Sequence, residues 1–133
     1  MPHENGQPYV FEYMEYEEVE RGAGRAVSRM PVRPQFIAYN GYMQATLVIG
    51  LADLTCAAGT QASLPEGAHA FTTIEFKTNL LGTALEGHLR CEATLQHGGR
   101  TTQVWDAAVH HEESERRVAL FRCTQLVLYP RSS

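Results

Sequence analysis

Met43-Gln-Ala-Thr-Leu-Val-Ile-Gly-Leu-Ala-Asp53-Leu-Thr-Cys56 is apolar around most of its circumference and carries one charge, Asp53. A helix apolar all round belongs inside a protein, wrapped by other elements. The run is shorter than the ~20 residues of a membrane span. It therefore predicts a buried central helix of roughly four turns, continuing through Ala57-Ala58 with Gly59 as its C-terminal cap. A carboxylate on such a helix is costly unless paired, hydrogen-bonded or put to use. Asp53 is either a structural residue bonded to nearby backbone or a catalytic one.

Upstream, Tyr9 to Val19 is rich in aromatic residues and reads as a strand, with helix as the lesser option. Arg21-Gly-Ala-Gly-Arg25 is a turn, Ala26 to Val32 the returning strand, and Pro31 and Pro34 end it. A loop with Asn40-Gly41 as its sharpest turn follows. After the helix, residues 60–68 read as a loop. Ala70 to Leu81 then alternates, with Thr72, Ile74, Phe76, Thr78 and Leu80 on one side and Thr73, Glu75, Lys77 and Asn79 on the other. Gly87 to His97 and Thr101 to His111 are strands joined by the hairpin turn at His97-Gly98-Gly99-Arg100. Glu112 to Arg116 is a charged turn before the last strand, Arg117 to Tyr129.

Two strands, one buried helix and four antiparallel strands define an α+β layer fold. An antiparallel sheet of about six strands wrapped around a single helix is the hotdog arrangement. At 133 residues the chain fits one domain, with residues 1–8 a frayed N-terminus. The sheet edges suit pairing between two copies. A formal net charge of -4 gives no reason to expect nucleic acid as a partner. The start has neither a basic nor an apolar region of a secretory signal. Three scattered cysteines, Cys56, Cys91 and Cys123, suit reduced thiols in a cytoplasmic protein, not a disulfide or zinc framework.

Other chemistries lack their motifs. There is no GxSxG elbow and no phosphate-binding glycine-rich loop. His110-His111 would point to opposite faces of a strand, so no metal site is expected. Cys56 is read as a packing residue more than a nucleophile.

Four segments, in order, resemble the acyl-CoA thioesterases of the phenylacetate-degradation (PaaI-like) type, over about residues 20 to 129. Gly41…Gln44-Ala-Thr…Leu51-Ala52-Asp53 resembles "G-x-x-H/Q-G-G…L-A-D". Thr73-Ile-Glu-Phe-Lys-Thr-Asn79-Leu-Leu81 resembles "T-V-E-x-x-x-N-F-L-R-P". Gly99-Arg100…Asp106 resembles "G-R/K-x-x-x-V-x-D/E", and Val118 to Arg122 the closing strand. Three features depart: Ala45-Thr46 replaces two glycines, Gly82-Thr83 replaces Arg-Pro, and the relatives' N-terminal helix is not evident.

The resemblance implies hydrolysis of an acyl- or aryl-CoA thioester at a dimer interface. Amides near Gln44 and Ala45 would form the oxyanion hole, where helix N–H groups are unpaired. Asp53 would act as general base or nucleophile, the base being favoured. Thr73 would place water or substrate, or serve simply as a strand residue. Coenzyme A, part of the substrate and not a cofactor, needs basic groups for its phosphates. Arg100 comes first, then Lys77, Arg116, Arg90 and Arg117. Tyr39, Tyr42, Met43 and Phe71 hint at an aryl or medium apolar acyl group. A homodimer, or a dimer of dimers, is implied, with no membrane partner. The alternative is a catalytically silent protein that binds acyl thioesters, suggested by Ala45-Thr46. Dehydration on this fold calls for a histidine beside the acid, and the central helix has none.

Overall fold

The helix forms where the apolar run predicts, although both ends differ. In a computed structural model that describes residues 3–131, α2 spans Ala45–Ala62. Its buried residues Val48, Leu51, Ala52, Thr55, Cys56 and Gly59 recur at three- and four-residue steps, one face of a helix. The hydroxyls of Thr55 and Thr60 donate to the carbonyls of Leu51 (2.6 Å) and Cys56 (2.8 Å), so neither is left unpaired in the core. At 18 residues α2 is long and apolar enough to cross a membrane by length and composition. Here its apolar face is covered by the sheet instead.

Gly59 is not the cap. It lies inside α2, where a Cβ would collide with the Trp105 ring at Cη2. Glycine is needed for close approach of helix and sheet, and the helix runs on to its C-cap, Ser63. That end is tied down by side chains. The Ser63 hydroxyl accepts from the Gly24 amide (2.9 Å), and its carbonyl accepts from Gln103 Nε2 (2.9 Å). Gln103 Oε1 in turn accepts from the buried Trp105 indole (2.8 Å).

Around α2 runs a six-stranded antiparallel sheet in the order β1-β2-β4-β5-β6-β3, from β1 (Glu17–Gly22), β2 (Arg25–Pro31), β3 (Ala70–Leu80), β4 (His88–Gly98), β5 (Thr102–His111) and β6 (Arg117–Leu128). Strands β4 to β6 bury alternate residues against the helix, among them Cys91, Ala93, Trp105, Val109, Phe121 and Cys123. This is the hotdog arrangement. The three thiols are free and buried, and burial pushes the Cys91 thiol up to about 12.

Two further expectations differ from the structure. Tyr9 to Val19 is not one strand. A single helical turn, α1 (Val10–Tyr13), precedes β1. Glu12 caps it by accepting from the Tyr9 amide (3.1 Å), and Glu15 ends it at φ 57. Its payoff is Met14, buried against α2 beside Gly50. The chain thus carries one helical turn ahead of β1, where its sequence gives no evident N-terminal helix. Met1 and Pro2, within the expected frayed segment, lie outside the described residues.

The second correction concerns β3. Its register on β6 shifts between Thr73 and Glu75, so Ile74 is a bulge. Thr73 opposes Gln125 and Phe76 opposes Cys123, both residues of the helix-facing side of β6. Thr73 thus shares a face with Phe76, not with Glu75 and Lys77 as strict alternation predicts.

Candidate active site

Thr46, Ile49, Gly50 and Asp53 follow one another at three- and four-residue steps along the side of α2 that faces β3. With Thr73, Ile74, Glu75 and Phe76 they line an open groove of about 630 Å3. Asp53 is half-buried there. Among the described residues no donor or cation pairs with its carboxylate, so the structural reading, an aspartate bonded to backbone, has no support. Burial alone raises its pKa above the ordinary aspartate value. Thr73 lies across the groove with its hydroxyl donating to Gln125 Oε1 at 2.6 Å.

The start of α2 forms a second cleft, of about 800 Å3, lined by the 38–45 loop, Leu80 to Thr83 and Arg116. Here the structure separates the two amides expected to act together. The Gln44 amide donates to the Phe36 carbonyl (2.9 Å) and is spent. The 3-10 turn Pro34–Phe36 aims that carbonyl, a detail of loop geometry with no sequence signal. Ala45, first residue of the helix, has no hydrogen-bond acceptor for its N–H among the described residues, and no side chain caps this end. The positive end of the helix dipole is thus open to the cleft. Tyr42 and Met43 also line this cleft, as does Tyr39, which is fully exposed. Phe71 stands apart, in a further groove of mixed lining with Phe11, Leu54, Glu18 and Arg21.

The basic candidates are dispersed. Arg116 stands at the helix N-terminal cleft. Arg100 lies in the β4–β5 hairpin, its guanidinium 6.0 Å over the Tyr129 ring and its carbonyl accepting from the Tyr129 hydroxyl. That hairpin adjoins the other end of α2, since Gln103 reaches Ser63. Lys77 pairs in register with Arg122 on the sheet face away from the helix. One chain therefore does not bring Lys77, Arg100 and Arg116 together with Asp53.

A second polar cluster has no part in the groove. His88, Glu112 and Glu113 are close enough to share a metal ion, but their carboxylates are engaged. Glu112 accepts from Arg29 (2.6 Å). Glu113 accepts from the ring (2.9 Å) and amide (2.9 Å) of His88, which lower its pKa to about 2. His110 and His111 do not act as a pair: the His111 ring meets Ser114 (2.7 Å) and the Glu86 carbonyl (2.9 Å).

Residues 40–118, more than half of the chain and both sides of the Asp53 groove, match the family model described as the Thioesterase superfamily. The chain belongs to that superfamily. The Bacillus subtilis protein ComA2, named as a candidate esterase, is 31% identical over 119 residues, covering 90% of this chain and 94% of its own. The 1,4-dihydroxy-2-naphthoyl-CoA hydrolase of Listeria monocytogenes is 27% identical over 101 residues, 76% of this chain and 80% of that one. Among solved structures, the PaaI protein from the phenylacetic acid degradation operon of Escherichia coli superimposes with a TM-score of 0.81 at 21% identity. That match covers 90% of this chain and 83% of PaaI, and shows the shared fold.

Proposed function

We propose that this protein hydrolyses an acyl- or aryl-CoA thioester to the free acid and coenzyme A. The observation that carries the reading is Asp53, a half-buried carboxylate without a partner among the described residues, in a groove of a thioesterase-superfamily fold. Desolvation raises its affinity for a proton, as suits a general base. A water held by Asp53 loses its proton and attacks the thioester carbonyl. The tetrahedral oxyanion takes a hydrogen bond from the Ala45 amide, a contact of the kind worth ~3 kcal/mol. It collapses with loss of the C–S bond, and the coenzyme A thiolate leaves and is protonated. A coenzyme A ester is the named substrate of the Listeria relative, which supports the same carrier here.

Ala45 and Asp53 are separated by ~12 Å along the helix axis at 1.5 Å per residue. One thioester carbonyl cannot meet both in one chain, so the reading takes the amide from one copy and the carboxylate from another. The homodimer pairs through the β3 edge, and two such dimers can stack as a tetramer. Within it Arg116, which lines the same cleft as Ala45, is the first phosphate contact, with Arg100 and Lys77 supplied from elsewhere in the assembly. The second reading, a silent acyl-thioester binder, draws on the Gln44 amide being occupied, which leaves a thinner oxyanion site.

Thiol release from a panel of aryl-, short- and long-chain acyl-CoAs distinguishes them. The hydrolase releases thiol, and Asp53→Asn lowers kcat by ~100-fold or more, within the range for loss of a general base. Saturable binding of the same thioesters with no release in wild type supports the silent binder.

A further inference from the structure

We propose that Gln125 is a positioning residue for hydrolysis, holding the Thr73 hydroxyl with its lone pairs toward the Asp53 groove. This rests on the thioesterase reading above and adds a residue to it.

The bulge at Ile74 is where it begins. Without the extra residue Thr73 would point away from the helix. With it, Thr73 faces inward, directly opposite Gln125 on β6. Thr73 lines the groove, whereas Gln125 is fully buried behind it, at 0% exposure. The two side chains meet in one short hydrogen bond, Thr73 Oγ1 to Gln125 Oε1 at 2.6 Å, with the hydroxyl donating. A hydroxyl has one proton and two lone pairs. Once its proton is committed to Gln125, Thr73 offers the groove only acceptor capacity.

Gln125 does little else. Among the described residues its Nε2 has no hydrogen-bond partner, an uncommon condition for a buried amide. Its neighbour Gln103 is fully employed, bonded to Trp105 and to the Ser63 carbonyl. Gln103 therefore accounts for itself by holding the helix end. Gln125 tolerates an unpaired donor, and the bond it makes is the one to Thr73.

An acceptor at Thr73 and an acceptor at Asp53 bracket a water molecule through its two O–H groups. Asp53 takes one proton as the water attacks, Thr73 holds the other, and the oxygen lone pair is left facing the carbonyl. A freely rotating Thr73 would instead donate to the water oxygen and occupy the lone pair that must attack.

The test compares wild type with Gln125→Met, which keeps length and apolar volume but removes the acceptor. With an acyl-CoA that wild type hydrolyses, kcat is expected to fall ~10-fold with KM within twofold, the low end of a positioning effect. Thr73→Val should lose a similar factor, and the double variant no more than the larger single loss, because the two act as one unit. Gln125→Glu, whose buried carboxyl is neutral and still offers a carbonyl acceptor, should stay within threefold of wild type. Wild-type kcat in Gln125→Met, or multiplicative losses in the double variant, overturns the role. Should Gln125→Met not fold, Gln125→Asn withdraws the acceptor by one methylene and must show the same kcat loss. Failure of the underlying reading looks different: wild type releases no thiol, or Asp53→Asn is fully active, and the role of Gln125 falls with it.

Discussion

Asp53 costs the fold stability when it is charged, and this gives its site a pH signature. Its pKa is raised by burial, so the folded chain binds the proton more tightly than the unfolded chain. The penalty is absent below the ordinary aspartate value of 3.8, grows as pH rises toward the raised folded value, and is complete above it. Asp53→Asn removes the penalty. Its melting temperature should exceed that of wild type at pH 7 to 8, and the two should converge as pH falls below 3.8. Hydrolysis should show the same group as an acid limb with a midpoint above 3.8, since the base must be unprotonated. Equal melting curves at neutral pH would mean that the carboxylate is not desolvated. The carboxylate itself was legible, because a single charge on an all-apolar helix has few explanations. Which amide stays open was not: Gln44 and Ala45 look alike in sequence, and only the Phe36 carbonyl separates them.

At the scale of elements, periodicity identified what is long and regular, and contact decided what is short. Gly59 shows the difference. A glycine after an apolar run resembles a helix cap, yet here it is the contact point of α2 with Trp105. Gly59→Ala should destabilise the protein by about 1–3 kcal/mol, the usual cost of overpacking, despite the better helix propensity of alanine. Chemical denaturation measures it. A stabilised variant would show that the helix end can move off the sheet. The α1 turn was read as strand because Val10, Phe11, Tyr13 and Met14 carry no helical repeat longer than one turn. Tertiary burial of Met14 decided it. The β3 bulge was equally hidden, since a one-residue slip leaves no mark in an alternating sequence. That slip moved Thr73 to the face that lines the groove opposite Asp53.

The whole molecule leaves its groove unfinished along one edge. Among the described residues strand β3 pairs only with β6, so its other side presents unpaired backbone groups. Ile74 (55% exposed), Phe76 (52%) and Leu80 (49%) leave apolar surface open along this edge. Two copies joined along β3 would cover these side chains and close the Asp53 groove. They would also bring groups from both chains to one carbonyl, which the ~12 Å between Ala45 and Asp53 forbids within a chain. On the proposed dimeric reading, Arg100 and Arg116 are legible as residues but not as a site, because one sequence does not say which copy would supply each. Light scattering should therefore give a mass at least twice the 14.8 kDa of the chain. Changing both Ile74 and Phe76 to Lys should give monomers without turnover. The sharper test mixes two inactive variants. Ala45→Pro removes the open amide yet is tolerated at the first helical position. Asp53→Asn removes the base. After subunit exchange half of the dimers pair one variant with the other, and each of these regains one intact site of two, about one quarter of wild-type activity for random pairing. No recovery on mixing would place both groups in the service of one chain and overturn the shared site.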